Sequence, residues 1–553
     1  MTEAHFVPER AAGSHDRVVL TGADLTIADV EAVARRDARV ALDIHARDRM
    51  QEARDVIETL VARGEVVYGV TTGFGDLATT FIPPGDAAGL QVNLITSHAA
   101  GVGPAFPREV VRAMLLLRAN TLALGHSGCR PLLVDRICDF LARGIHPVVP
   151  EQGSVGASGD LAPLAHLALP LIGRGEVEVD GRRVPAADAL RDAGLEPLAL
   201  EPKEGLALLN GTQLMSALGA LVAADAGRLM RTASVAAAMS VEALLGTEVA
   251  FAAPYQLARP HPGQVAVAAE LRHLLRGSGF QRAHHGSAHK VQDPYSVRCV
   301  PQVHGAVRDA LDHLGRVLDI ELNSATDNPL VFPQGASVPV DALATGGGLV
   351  ISGGNFHGEP IALALDFAKL ALAELGSISE RRTALLLDAR LNGGLPAFLS
   401  PDPGRNSGLM LVQYTAAALA SENKVLAHPS SADSIPTSAN QEDHVSMGAA
   451  AARHARSVLA HVEQIVAIEL VCAAQALDLR LAAFARDADG EDPPAPGEGV
   501  AEALRRVRGR IAPLEGDREP GPDLAAALAL VHDGTLADLA NAGPATSSGP
   551  RPR

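Results

Sequence analysis

Tryptophan is absent from this 553-residue sequence, and aromatic side chains make up only 3% of it. The four cysteines lie far apart with no Cys-x-x-Cys pair, which argues against a disulfide framework and against a zinc knuckle. Lys and Arg total 47 against 64 Asp and Glu, and the net charge of −17 disfavours nucleic acid or an anionic membrane surface as the main partner. We therefore expect a small-molecule ligand and a reducing compartment, the cytoplasm.

Long apolar runs are scarce as well. Residues 1–17 are polar and charged, without the apolar segment of a signal peptide, and are expected to form a flexible extension. Residues 205–224 carry no charge, but Asn210, Thr212 and Gln213 interrupt the run. Such polar residues disfavour a lipid-facing span, so a helix buried in a large protein core is the better interpretation.

The apolar residues that are present recur at helical spacing, above all in the Ala- and Leu-rich second half, which predicts a mainly α protein. Helices of the predicted length usually pack side by side as a bundle. The predicted long helices are approximately 205–247, 302–323, 355–393, 406–426 and 445–484. The predicted organisation is an N-terminal region at 18–204, a long-helix bundle at 205–485, a linker-like loop at 486–499, C-terminal helices at 500–542 and a disordered tail at 543–553.

One stretch, GSVGASGDLAPLAH at 153–166, places several residues with little or no side chain directly before an apolar helical pattern. Its simplest interpretation is a turn followed by a helix that Asp160 caps, with Pro163 tolerated in the first turn. A serine-hydrolase elbow needs glycine two residues after Ser158, where Asp160 stands. The glycine patterns of phosphate-binding loops are also missing from this stretch.

A different interpretation uses every small residue of the stretch. If the chain bends tightly, the nitrogen of Gly159 can attack the carbonyl of Ala157, and loss of water, including the hydroxyl of Ser158, leaves a ring with an exocyclic methylidene. Glycine is the least hindered residue for that closure. The product is an electrophile, which the standard side chains do not provide.

The sequence resembles the ammonia-lyases and aminomutases that carry such a group, 4-methylidene-imidazol-5-one. The resemblance rests on motifs in family order: YGVTTGFG (68–75), LITSHAAGVG (94–103), GSVGASGDLAPLAH (153–166), LLNGTQ (208–213), QDPYSVRCVPQVHGA (292–306), LNSATDNPLVF (322–332), SGGNFHGEP (352–360) and PTSANQEDHVSM (436–447). It implies an almost entirely helical fold, with the ring formed in the N-terminal region and a central bundle of long antiparallel helices. It also implies a homotetramer whose active sites combine residues of more than one chain, and no metal or added organic cofactor.

The resemblance further implies roles for individual residues. Ala157, Ser158 and Gly159 would form the ring, which the substrate attacks through its amine. Tyr68 would be the base that removes the β-proton. Asn210 would line the prosthetic group, where its polar side chain suits a hydrogen bond to the ring oxygen or to the amine.

Four further residues would lie around the prosthetic group or bind the substrate carboxylate. Tyr295 matches a second position that lines the prosthetic group, and Arg298 suits the substrate carboxylate because guanidinium offers a bidentate fork. Gln292 would support the carboxylate end of the substrate, and Phe356 would pack near the ring.

The histidine-rich stretch 284–289 is interpreted as a solvated loop, since no His-Glu-x-x-His motif accompanies it.

Two residues bear on the choice of amino acid. His98 lies at the family position that contacts the substrate side chain, and Glu442 stands where the enzymes for tyrosine and phenylalanine usually carry glutamine. Both would provide polar partners for an imidazole, so the expected reaction is conversion of L-histidine to trans-urocanate. A tyrosine or phenylalanine ammonia-lyase or aminomutase is the alternative. A catalytically inactive scaffold is disfavoured by the intact tripeptide, and the fumarate-type lyases by the absence of their GSSxMPxKxN loop.

Replacement of Tyr68 by phenylalanine removes the ionisable oxygen while keeping the aromatic ring. We expect Tyr68→Phe to lower kcat by at least about 100-fold, the smaller end of what a general base contributes, with less effect on substrate binding. Steady-state kinetics on purified enzyme measures this. Tyr255→Phe, outside the Gly-rich polar motifs, is the control and should keep its rate; a wild-type kcat for Tyr68→Phe would exclude Tyr68 as the base.

Overall fold

The computed structural model describes residues 16–67, 69, 70, 72, 82, 83, 85, 87–284, 291–333, 343–345, 348–487 and 492–541. Tyr68, the predicted base, lies outside the described residues, as do most of the histidine-rich stretch and the C-terminal tail.

Helices dominate the described chain, which confirms the predicted mainly α fold. The helices are α1 Ile27–Arg36, α2 Ile44–Ala62, α3 Ala87–His98, α4 Arg108–Ala123, α5 Leu132–Arg143, α6 Leu161–Ala168, α7 Ala186–Asp192, α8 Glu204–Leu209, α9 Gln213–Ala243, α10 Ala253–Leu257, α11 Pro262–Leu274, α12 Gly279–Ala283, α13 Tyr295–Arg298, α14 Val300–Glu321, α15 Glu359–Leu387, α16 Met410–Leu426, α17 Gly448–Asp487, α18 Glu498–Arg508 and α19 Gly521–His532. None of the described helices is long and apolar enough to cross a membrane.

The strands are short and form small sheets. They are β1 Arg17–Leu20, β2 Arg39–Leu42, β3 Val102–Ala105, β4 His146–Pro147, β5 Pro150–Gln152, β6 Glu176–Val179, β7 Arg182–Pro185, β8 Leu330–Pro333, β9 Leu343–Thr345 and β10 Gly348–Ile351. Strands β1 and β2 pair in parallel, with Arg17 opposite Arg39. The antiparallel sheets have the orders β3-β5, β4-β6-β7 and β8-β10-β9.

The chain divides into two compact units. The first comprises Met1–Ala224, Leu314–Leu365 and Pro429–Arg453 in their described parts, and the second comprises Asp225–His313, Asp366–His428 and His454–Arg553 in theirs. Part of the core of the first unit is an apolar cluster in which side chains of α2 pack against Val331 of β8 and Val350 of β10. Each unit thus draws on segments that are distant in the sequence.

The predicted long helices correspond to α9, α14, α15, α16 and α17, with one correction. The helix predicted over 205–247 is broken, because α8 ends at Leu209 and α9 begins at Gln213. The intervening residues leave the helical conformation, with Gly211 at φ +154°. The break follows from a tertiary contact of Gly211, described below, that overrides the apolar periodicity.

A buried polar cluster joins α9, α15 and α17 in the second unit. Glu469 of α17 accepts hydrogen bonds from Ser240 of α9 at 2.7 Å and from Ser379 of α15 at 2.6 Å. Arg382 of α15 donates to both carboxylate oxygens of Glu469, at 2.5 and 2.8 Å. Both partners of this ion pair have side chains with no exposed surface.

Arg382→Ala should lower the free energy of unfolding by about 3–5 kcal/mol, because it would leave the Glu469 carboxylate buried without its ion-pair partner. Arg505→Ala is the control, since Arg505 is an exposed residue of α18 that pairs with Glu502 at the surface, and it should change stability little. The midpoint of chemical unfolding measures both. Equal, small shifts in the two variants would contradict a structural role for the buried pair.

Candidate active site

The Ala157-Ser158-Gly159 tripeptide lies in a tight turn directly before α6. Gly156 and Gly159 pair across this turn as an isolated antiparallel bridge. Both have left-handed backbone conformations, at φ +75° and +73°, which glycine adopts without the steric cost of a Cβ atom. The chain therefore has the tight bend that ring closure between Ala157 and Gly159 requires.

The turn packs directly against the break between α8 and α9. Gly211 donates its N–H to the carbonyl of Ser158 at 3.4 Å, and its own carbonyl accepts from the N–H of Asp160 at 2.7 Å. A Cβ atom on Gly159 would lie 2.1 Å from the carbonyl oxygen of Gly211. A Cβ atom on Gly211 would in turn lie 2.5 Å from the carbonyl oxygen of Thr326. The two backbones approach this closely only because neither residue carries a side chain.

Asp160 caps a different helix from the expected one. Among the described residues its side chain makes no cap to α6; instead it accepts hydrogen bonds from the N–H groups of Leu214 and Met215, at 2.9 and 3.0 Å, in the first turn of α9. The expected N-cap was wrong because a long-range partner competes for the carboxylate. Burial raises the pKa of Asp160 to about 7, against the opposing effect of these two hydrogen bonds.

Glu442 approaches the tripeptide from a segment nearly 300 residues away. Its Oε1 accepts a hydrogen bond from Ser158 Oγ at 3.5 Å, while its Oε2 accepts one from Thr437 Oγ1 at 2.7 Å. The carboxylate also acts on His98, at the end of α3: burial lowers the pKa of His98, and the charge of Glu442 partly opposes this. Glu442 thus contacts Ser158 and lies within electrostatic range of the His98 imidazole.

Asn210 is the C-cap residue of α8 and is almost fully buried, with 3% of its surface exposed. Its side-chain Nδ2 donates to the carbonyl of Asn328 at 3.1 Å and to Asp327 Oδ1 at 3.4 Å. Its Oδ1 is buried and has no hydrogen-bond partner among the described residues. Since Gly211 is the next residue in the chain, Asn210 lies next to the contact that holds the tripeptide.

Phe356 is half-buried just before α15 in the first unit. The neighbouring His357 connects this segment to the loop of Glu442, with its Nε2 placed 3.2 Å from the carbonyl of His444 and the two imidazole rings stacked at 5.9 Å between centroids. Phe356 is thereby adjacent in sequence to a residue that contacts the Glu442 loop.

The other three predicted residues belong to the second unit and form a group of their own. Tyr295 and Arg298 begin and end α13, and the Arg298 guanidinium lies 4.7 Å from the centroid of the Tyr295 ring. The Nε of Arg298 donates to the carbonyl of Asp293 at 3.0 Å. Tyr295 is 73% exposed, and Gln292 is exposed as well.

A cavity of about 680 Å³ opens beside α13 within the second unit. Its lining includes Tyr295, Arg381, Asp388, Arg390 and Phe398. Most of the remaining wall is apolar and includes Leu385, Leu387 and Leu391. The cavity therefore suits a ligand or protein segment with apolar surface and a few charged groups.

Sequence reasoning missed several residues on which this geometry depends. The Asn-Gly pair at 210–211 was a readable signal for a break in an apolar helix. Thr437, which holds Glu442, and Asp327, which holds Asn210, gave no such signal, because their partners lie far away in the sequence.

Comparisons with known proteins agree with the motif resemblance. A family model described as aromatic amino acid lyase matches residues 25–509. Histidine ammonia-lyase of Symbiobacterium thermophilum is 52% identical over 515 residues, covering 93% of this chain and 96% of that protein. The crystal structure of histidine ammonia-lyase from Trypanosoma cruzi is 43% identical with a TM-score of 0.84 and 95% of each chain covered. That of tyrosine aminomutase from Streptomyces globisporus is 38% identical with a TM-score of 0.85, covering 95% of this chain and 98% of that one.

Gly159→Ala tests whether the close approach to Gly211 is needed for ring closure. We expect the variant to lack the mass loss of two water molecules that ring formation produces, because its Cβ would collide with the Gly211 carbonyl. Intact-mass analysis measures this directly. Gly181→Ala is a matched control, since Gly181 has the same φ of +73° but open space around it, and it should cost only about 1–2 kcal/mol in stability while keeping the mass loss. A full mass loss in Gly159→Ala would contradict the argument.

Proposed function

Because this chain belongs to the aromatic amino acid lyase family, we propose that it is a histidine ammonia-lyase, which eliminates ammonia from L-histidine to give trans-urocanate. The observation that carries the choice of substrate is the position of Glu442, next to Ser158 and within the electrostatic influence of His98. A carboxylate there accepts a hydrogen bond from the imidazole of the substrate and stabilises its positive charge.

The prosthetic group in this proposal is 4-methylidene-imidazol-5-one, formed by the chain itself from Ala157, Ser158 and Gly159. The residues fit that group, since the turn is closed by the Gly156–Gly159 bridge and a Cβ atom at Gly159 would collide with Gly211. The group supplies an electrophile that activates the substrate amine as a leaving group. No metal or further organic cofactor is part of the proposal.

The chain's own residues then bind the substrate and move its proton. Tyr68 removes the β-proton, and its phenol, with an ordinary pKa of about 10, needs a lowered pKa to do so near neutrality. Asn210 lines the prosthetic group. Phe356 packs near it and keeps water away from the reacting atoms.

The substrate carboxylate is assigned to the second unit. Arg298 offers the bidentate fork and Gln292 supports it. Tyr295 is the second residue proposed to line the prosthetic group. Tyr295 is exposed, and Arg298 lies over its ring and forms no ion pair with a carboxylate among the described residues. Both side chains are therefore accessible to a ligand, which supports these roles.

We further propose a homotetramer whose active sites combine residues of more than one chain. An apolar stripe on α15 supports contact between copies: Leu363, Phe367 and Leu370 lie at helical spacing and are each about half exposed, an arrangement typical of interaction surfaces. The four cysteines are free thiols, which fits the proposed cytoplasmic location.

The similarity to a tyrosine aminomutase structure favours the aromatic lyases and aminomutases as the second candidate. The chemistry of the pocket separates the two. A pocket for phenylalanine would be apolar at the side-chain end, and an imidazole needs polar partners there, which His98 and Glu442 provide.

Assay of L-histidine, L-tyrosine and L-phenylalanine side by side tests the proposal. We expect preferential conversion of L-histidine, followed by the near-ultraviolet absorbance of urocanate, without added metal or cofactor. Glu442→Gln should lower kcat/KM for L-histidine by about tenfold or more, the effect of losing a charged hydrogen bond. Glu502→Gln on the surface of α18 is the control. Clear preference for an aromatic substrate, or an unchanged rate in Glu442→Gln, would overturn the assignment.

A further inference from the structure

A buried ion pair between Lys203 and Asp327 contacts Asn210 in the first unit. The Nζ of Lys203, the residue before α8, lies 2.8 Å from Oδ2 of Asp327, and neither side chain has exposed surface. Burying two charges costs more than burying apolar residues of similar size unless the geometry and the remaining hydrogen bonds compensate. Neither residue has a part in the proposed chemistry, so the pair calls for another explanation.

The second oxygen of Asp327 determines the orientation of the Asn210 amide. Asp327 Oδ1 accepts from the N–H of Asn328 at 2.7 Å and from Asn210 Nδ2 at 3.4 Å, and the Asn328 carbonyl accepts from the same Nδ2 at 3.1 Å. Both amide hydrogens of Asn210 therefore face oxygen atoms. A flipped amide would place its oxygen against a carboxylate and a carbonyl, which is electrostatically unfavourable, so the chemistry assigns the orientation.

The backbone at this position is fixed as well. Arg118, which is fully buried, donates from Nη1 to the carbonyl of Asn210 at 2.7 Å and to Gln213 Oε1 at 3.0 Å. Asn210 thus has little freedom to turn its side chain away from the Asp327 carboxylate.

With the amide held in this way, the Asn210 oxygen is left buried and without a partner among the described residues. A buried acceptor without a partner is energetically unfavourable, and it is tolerated where a ligand provides the donor. The carbonyl oxygen of the proposed ring is an acceptor and cannot fill this role. The α-amino group of an amino acid is a donor and can.

We propose that Asp327, held by Lys203, is a positioning residue that fixes the Asn210 amide so that its oxygen accepts a hydrogen bond from the substrate amine. The proposal rests on the proposed function, because it takes L-histidine as the source of that amine. It selects the amine from the two partners that the sequence left open for Asn210, the amine and the ring oxygen.

Two charge-balanced double variants isolate the role of the Asp327 oxygen. In a Ser158→Ala background, which forms no ring and does not turn over substrate, Lys203→Met is combined either with Asp327→Asn or with Asp327→Leu. Both combinations remove the buried ion pair, and asparagine and leucine are similar in size. Only the asparagine variant keeps a side-chain oxygen that can accept from Asn210 Nδ2.

The ligands are L-histidine and 3-(imidazol-4-yl)propionate, which differ only in the α-amino group, and calorimetry gives both dissociation constants. We expect the leucine variant to bind L-histidine about tenfold or more weakly, as for loss of a hydrogen bond to a charged group. Its affinity for imidazolylpropionate should stay within about twofold of the background protein. The asparagine variant should bind both ligands like the background.

The other outcomes overturn the proposal. Equal L-histidine affinity in the two double variants would show that the Asp327 oxygen does not matter. An equal loss of both ligands in the leucine variant would show a purely structural role. If the Ser158→Ala background binds neither ligand, the proposed function itself fails, which is a distinguishable result.

Circular dichroism checks that each variant is folded. If the leucine variant is not, the single substitution Asp327→Asn in the same background replaces it. There Lys203 attracts the new amide oxygen, so the amide nitrogen faces Asn210 and the selective loss of L-histidine affinity is again expected. Unchanged L-histidine affinity in this folded variant would contradict the proposal.

Discussion

The close approach of Gly159 to the carbonyl of Gly211 is the contact on which the geometry of the first unit depends. It requires two residues without side chains, because a Cβ atom on Gly159 would lie 2.1 Å from that carbonyl oxygen. The same contact interrupts the apolar run after α8, so that Asn210 ends one helix and α9 begins beyond it. Asp160 then accepts hydrogen bonds from the buried N–H groups of Leu214 and Met215 at the start of α9, which have no partner within the helix. Turn, helix break and cap are therefore consequences of one backbone contact.

Much of the fold followed from the periodicity of the sequence, because long helices with buried Ala and Leu faces leave a strong signal. Helix ends were less predictable. The apolar spacing predicts a single helix over 205–247, and Asn and Gly inside such a run weaken a helix by only about 1 kcal/mol each relative to alanine. The contact with Gly159 outweighs that small preference. The Asn-Gly pair at 210–211 signals a break, but nothing local to these residues identifies Gly159 as the partner.

The candidate site shows the same division between local and distant information. Motifs identified individual residues such as Ser158, His98 and Glu442, but not which atoms of these residues would meet. Glu442 is held by Thr437 on one oxygen and receives Ser158 on the other. The position of Asp160 before α6 predicts an N-cap for that helix, but its side chain caps α9, more than 50 residues away. Each polar side chain orients towards its strongest available hydrogen-bond partner, and the fold determines which partner that is.

In each unit, a buried ion pair forms hydrogen bonds to a proposed site residue or to the backbone next to one. In the first, Asp327 of the Lys203 pair reaches the Asn210 amide. In the second, Arg382 of the Glu469 pair donates from Nη1 to the carbonyl of Ser296 at 3.4 Å, inside the helix that bears Tyr295 and Arg298. A dipole that must meet a reacting group stabilises it best when it does not reorient during the reaction. A fully buried charge cannot exchange its partner for water, so it holds the neighbouring dipole more firmly than an exposed residue would. We infer that this positioning is the reason for charged pairs at places where apolar side chains would have been less costly for stability.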